Sequence, residues 1–157
     1  MEGIRWQMKK LTHIDRRGEA TMVDVSAKPL LFREAVARGE IRVQRATLKL
    51  IESHAIAKGN VLATARLAGI MAAKKTGDLI PLCHPLPITH CEVNFEVPET
   101  QDRIVIVASA KISAQTGVEM EALMAVSVAA LTIYDMCKAV DKKMRITDVA
   151  LISKLKR

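Results

Sequence analysis

The chain has 157 residues, half of them hydrophobic but only 3% aromatic, and 24 Lys and Arg against 17 Asp and Glu give a formal charge of +7. This length suits one domain with an aliphatic core, and the basic excess favours a polyanionic partner: a nucleotide, a phosphorylated metabolite, nucleic acid or an acidic protein. Three cysteines without CxxC spacing argue against a secreted disulfide framework.

In chain order, residues 1–10 read as a flexible basic tail, and residues 11–157 as a single domain. The N-terminus has no apolar run of signal-peptide length, so a cytoplasmic location is expected. The alternating run Thr21–Ser26 predicts a first strand. Lys28–Pro29 predicts the opening of a helix that runs through Arg38 and is closed by Gly39. A second helix fits Val43–Ala57, with Leu48, Ile51 and Ala55 on one face. Asn60 is placed to cap a third helix over Val61–Lys75. The stretch Leu79–Leu86 (LIPLCHPL) is punctuated by Pro81 and Pro85 and predicts an extended loop. Ile88–Val97 and Arg103–Ser113 both alternate apolar and polar residues around a turn at Pro98–Asp102, a hairpin with one wet face.

The stretch Gln115–Asp141 is the centre of the pattern. It carries no charge between Glu121 and Asp135, and its Ala, Leu, Met, Val and Ile composition favours a helix. It is too short for a bilayer and lacks a polar stripe, so it reads as a buried core helix. Ala122, Ala125, Ala129 and Ala130 allow close approach of neighbouring elements. Lys143–Ile152 predicts a last strand. Apart from the two early helices, the order is strand, helix, strand, strand, helix, strand. That is the split βαβ, or ferredoxin-like, α+β order, with an antiparallel sheet and both main helices on one face.

Charges mark the two ends of the core helix. Asp135 and Lys138, three apart, share a helical face and make either an ion pair or a proton-transfer couple. In that couple a desolvated Lys138 would give up its proton. Glu119 and Glu121 stand at the other end, where the macrodipole favours carboxylates and where one could accept two N–H groups of a guanine-like ring. His84, held between prolines, is a rigidly presented donor or acid, or a loop histidine satisfied by backbone. A zinc site built from Cys83, His84, His90 and Cys91 matches no finger spacing. Lys58-Gly59-Asn60 offers a lysine beside the free N–H groups of a helix start, a phosphate cradle without a Walker motif.

KGNVLATARLAGI, LIPLCHPL, TGVEMEAL and LTIYDMCKAVDK, in this order and spacing, resemble the MoaC family of molybdenum cofactor biosynthesis. The opening LTHIDRRGEATMVDVSAK is similar as well, so the resemblance runs from about Leu11 to Lys156. It implies a lyase that converts cyclised dihydro-GTP, handed over by a radical-SAM cyclase, into cyclic pyranopterin monophosphate with release of pyrophosphate. It also implies a ferredoxin-like catalytic domain in a homohexamer, a trimer of dimers with sites at the dimer interface. By motif, the catalytic residues fall on Asp135, Lys138 and Lys58. Substrate binding falls on Leu82, Cys83, His84, Glu119, Met120 and Glu121, and phosphate binding on Arg33 and Lys154. No resident metal or cofactor is implied, with room for a divalent ion such as Mg accompanying the triphosphate. The family usually has Asp where this chain has Asn60, and a capping role survives that exchange.

Two other function classes fit a small basic domain. A ferredoxin-like nucleic-acid binder stacks bases on sheet aromatics, whereas this hairpin offers only Phe95. A nucleotide-binding regulatory domain would need no acid–base pair. Neither nucleic acid nor a membrane is expected as a partner.

Overall fold

The computed structural model describes residues 14, 15 and 17–157; the predicted tail at 1–10 lies outside them. The elements are β1 (Leu31–Arg42), α1 (Arg45–Glu52), α2 (Val61–Lys74), α3 (Thr76–Leu79), β2 (His90–Glu96), β3 (Arg103–Ala114), α4 (Glu119–Cys137) and β4 (Arg145–Lys156). The four strands form one antiparallel sheet in the order β2-β3-β1-β4. This is the ferredoxin-like α+β arrangement.

The hairpin follows its alternation. Val93 is fully buried with Cys91 and Phe95 packed beside it, and β3 buries Ile104, Ile106, Ala108, Ala110 and Ile112. The four alanines of α4 are buried as well, and α2 lies close against them. A Cβ on Gly69 would stand 2.8 Å from the carbonyl oxygen of Ala125. Asn60 caps α2 by accepting from the Ala63 N–H at 3.0 Å, so the capping role of this position is realised with Asn in place of Asp.

Two early predictions are corrected. Thr21–Ser26 is not a strand, because its backbone pairs with no neighbour. It lies as an extended strap held by side chains, with Gln115 Nε2 donating to the Ser26 carbonyl at 3.1 Å. The helix predicted from Lys28 through Arg38 is instead β1, the first strand of the split βαβ unit. Alanine, arginine and glutamate give this run a helical local preference, but tertiary context overrides propensity. Ala35, Ala37, Gly39, Ile41 and Val43 alternate as the buried face beneath α4.

Gly39 is therefore no helix terminator. A Cβ there would meet Val126 Cγ1 at 2.7 Å and Val149 Cγ2 at 3.1 Å. Gly39→Ala should destabilise the fold by about 1–3 kcal/mol, the usual cost of overpacking a filled core; the midpoint of chemical denaturation measures it.

The remaining differences are of extent. α1 stops at Glu52 because His54 adopts a left-handed φ of 54° and its N–H bonds back to Ile51. β4 continues past Ile152 to Lys156. Alternation fails at Asp148–Ile152, where its pairing with β1 shifts register twice, between Val36 and Ala37 and between Arg38 and Glu40. β4 is also an edge strand of 12 residues that leaves Val149, Leu151, Ile152 and Leu155 exposed.

Candidate active site

The side chains singled out in the sequence gather at the two ends of α4. At its C-terminal end, the Asp135 carboxylate lies 2.7 Å from Lys138 Nζ through one oxygen and 2.7 Å from Lys58 Nζ through the other. Lys58 also donates to the Asp135 backbone carbonyl at 2.9 Å. One turn of helix places Asp135 and Lys138 together, and the loop after α1 brings Lys58 across to them. All three side chains are about half exposed.

Hydrogen bonds from Lys138 and then Lys58 pull the Asp135 carboxyl down to about 2. The same bond to Asp135 raises the Lys138 ammonium above its ordinary value. The expectation of a desolvated, readily deprotonated Lys138 is thereby corrected for the single chain. Exposure leaves the amine hydrated, and the fixed carboxylate favours its charged form. The cluster is one carboxylate held between two lysine amines.

At the N-terminal end of α4, a cleft of about 360 Å³ is lined by Leu82, Cys83, His84, Glu119, Met120 and Glu121. The extended loop expected over Leu79–Leu86 is corrected: Leu79 ends α3, and Pro81 and Leu82 form a turn closed by the Cys83 N–H on the Ile80 carbonyl at 3.0 Å. Beyond that turn, His84 Nε2 lies 2.8 Å from the Val23 carbonyl oxygen. The histidine is thus both satisfied by backbone and part of the cleft wall. Glu121 is buried, and that burial, helped by the charge of Glu119, raises its carboxyl pKa. Cys83 is raised by burial and by Glu121.

The shift at Glu121 predicts a pH effect. A carboxyl raised by folding stabilises fully below its unfolded value of 4.5, and its contribution is lost as pH climbs through the folded value. Glu121→Gln removes that loss. Its melting temperature should therefore exceed the parent's at neutral pH and converge with it in acid, as paired thermal melts would show.

Arg33 and Lys154 border a second cavity of about 210 Å³ that shares Gly117 and Glu119 with the first. Lys154 Nζ stands 3.3 Å from Glu119. The Arg33 guanidinium donates to the carbonyls of Ala114 and Gln115, bracing the turn that enters α4. Sequence reasoning missed Lys28, Val23 and Val25, which the strap lays along the cleft, and Thr116 and Gly117 at its floor. Only the basic charge of Lys28 could have signalled a role. The hairpin aromatic Phe95 lies beneath Arg66 of α2, 5.5 Å from guanidinium carbon to ring centre. It is no base-stacking platform. Among the described residues, no three His, Cys, Asp or Glu side chains converge as a metal set.

The two groups are separate within one chain. Glu121 and Asp135 are 14 residues apart on a continuous helix, which is about 21 Å of axis at 1.5 Å per residue.

A split βαβ sheet, a cleft walled by a buried carboxyl, and a carboxylate clamped between two amines define a ferredoxin-like α+β protein equipped to hold an anion and donate protons. The MoaC family model matches residues 22–156. A cyclic pyranopterin monophosphate synthase of Parvibaculum lavamentivorans is 57% identical over 146 residues, 93% of this chain and 91% of the relative. Proteins of that name from Heliobacterium modesticaldum and Dinoroseobacter shibae are 56% and 58% identical over 147 residues, in each case 94% of this chain and 92% or 93% of the relative. The chain belongs to the MoaC family.

Proposed function

We propose that this protein is a cyclic pyranopterin monophosphate synthase, a lyase of molybdenum cofactor biosynthesis. It converts cyclised dihydro-GTP into the cyclic monophosphate and releases pyrophosphate. The carrying observation is the Asp135 carboxylate bridging the Lys58 and Lys138 amines at 2.7 Å each. Opening and reclosing a purine-derived ring system requires protons to be delivered and withdrawn at several atoms, and positioned acid–base groups contribute roughly 10²–10⁴-fold to such steps. Two ammonium groups on one fixed anion leave a net positive charge that suits both protonation and a phosphorylated substrate. The Lys58 and Lys138 amines would donate protons at the ring, with Asp135 orienting both. The buried carboxyl of Glu121 fits a base or acid at the purine end. Leu82, Cys83, His84, Glu119 and Met120 form the walls, and Arg33, Lys154 and Lys28 supply cations for the phosphates.

The working centre requires two chains, because about 21 Å of α4 separates its halves. The cleft of one chain would close on the lysine cluster of another, removing water from both. Exposed Val149, Leu151, Ile152 and Leu155 on the β4 edge, with Leu67 and Met71 on α2 and Leu131 on α4, supply apolar surface for such contacts. We take the assembly to be a homohexamer, a trimer of dimers, in the cytoplasm, receiving its substrate from a radical-SAM cyclase. Residues 11–157 form one catalytic domain that uses no resident cofactor, and a divalent ion such as Mg would accompany the triphosphate rather than reside in the protein.

Purified protein given the cyclised dihydro-GTP should release pyrophosphate and form the cyclic monophosphate one for one. Absence of both products from a folded, assembled sample would overturn the assignment. Light scattering should return several times the chain mass, and a stable monomer would refute the shared site.

A further inference from the structure

Asp141 is fully buried, three residues beyond Lys138, and the reaction described above makes no use of it. Its own backbone N–H closes the last turn of α4 on the Cys137 carbonyl at 3.0 Å. Its carboxylate accepts four hydrogen bonds: from the Gln44 backbone N–H at 2.8 Å, Gln44 Nε2 at 3.0 Å, the Thr47 hydroxyl at 2.9 Å and the Lys143 N–H at 2.9 Å. Gln44 is the N-cap residue of α1, and its side chain makes no cap of its own. Asp141 therefore accepts the N–H of the α1 N-cap residue, the bond that the N3 carboxylate of a capping box makes, from 97 residues away in sequence. One residue ties the end of α4, which carries Asp135 and Lys138, to the start of α1, which leads into the loop carrying Lys58.

We infer that Asp141 is a positioning residue that sets the distance of Lys58 from Asp135 and thereby tunes proton transfer by the lysine cluster. The inference rests on the reading that this cluster performs the chemistry. An uncharged cap would not serve equally. Each carboxylate oxygen accepts from one backbone N–H, Gln44 on one and Lys143 on the other, so in Asp141→Asn the amide nitrogen would meet a donor with a donor at either position. Asp135 and Lys138 share one helical turn and keep their contact whatever α1 does. Only the contact from Lys58, which crosses between segments, depends on Asp141.

The test uses the assembled full-length protein and three variants: Asp141→Asn, Thr47→Val, which removes a single donor, and Ile106→Val, a core destabilisation within β3. Trace acetylation followed by peptide mass spectrometry reads Lys58 against Lys138, and kcat and KM are measured in parallel. Asp141→Asn should raise Lys58 labelling severalfold with Lys138 unchanged. It should lower kcat roughly 10–100-fold, the scale of a misplaced catalytic group, with a smaller change in KM. Thr47→Val should shift both readouts the same way by less, and it carries the test alone if Asp141→Asn does not fold. Labelling and kcat no different from Ile106→Val at matched melting temperature would overturn the inference. A selective rise in Lys58 labelling with kcat intact would uphold Asp141 as the residue holding the cluster and overturn the assignment of chemistry to it, so the two failures are distinguishable.

Discussion

Asp135→Asn should reduce turnover by roughly 10²–10⁴-fold, the contribution of positioned acid–base groups, while leaving the protein folded, assembled and able to bind substrate. The wild-type carboxylate holds two amines at 2.7 Å each. An amide would present a donor to one of them and no charge to either. The side chain is about half exposed and fills no part of the core, so near neutral pH the melting temperature should fall only slightly, by the small contribution of a solvent-screened ion pair. Its charge contributes stability above the ordinary carboxylate value of 3.8, and that contribution is lost as pH falls through about 2. A structural ion pair would behave differently, with activity and melting temperature falling together. Near-normal turnover of Asp135→Asn would remove the cluster from the reaction.

Mixing two inactive variants should restore activity. Lys138→Ala disables the end of α4 that carries the lysine cluster, and Glu121→Gln disables the cleft at the other end. In a two-fold symmetric pair each partner contributes both ends, so a mixed dimer holds one centre with both lesions and one with neither. After random exchange about a quarter of all centres should be intact. Activity of that order after co-refolding, absent from either variant alone, is the expected result. No recovery despite proven subunit exchange would place the whole centre within one chain and refute the two-chain site.

Much of the architecture was legible because burial leaves a period. The uncharged run between Glu121 and Asp135 announced α4, and strict alternation announced β2 and β3. β1 was not legible. Its buried residues are mostly small (Ala35, Ala37 and Gly39), and small residues satisfy a helix locally as well as they satisfy a strand beneath a closely packed helix. The strap at Thr21–Ser26 fooled the same reasoning in reverse, since alternation without a partner strand gives only extended backbone. The candidate site residues stood out as motifs, and the structure gathers most of them at the two ends of α4. Their separation could have been read by counting 14 residues along a helix, whereas the proposed second chain that would bridge it was implied only by the family resemblance. Asp141 gave no signal, because a buried carboxylate at a helix end looks in sequence like any solvated one.

The span of α4 also has a consequence for how the protein responds to dilution. If neither end of the helix is a site by itself, the number of working centres follows the number of associated pairs rather than the number of chains. Well below the dissociation constant, activity then rises with the square of protein concentration, and specific activity decays on dilution long before any chain unfolds. A substrate that touches both halves pulls that balance toward the pair, so the enzyme would show a lag when diluted and then challenged. That lag would shorten as substrate is raised, an apparent cooperativity with no second conformation of the chain behind it.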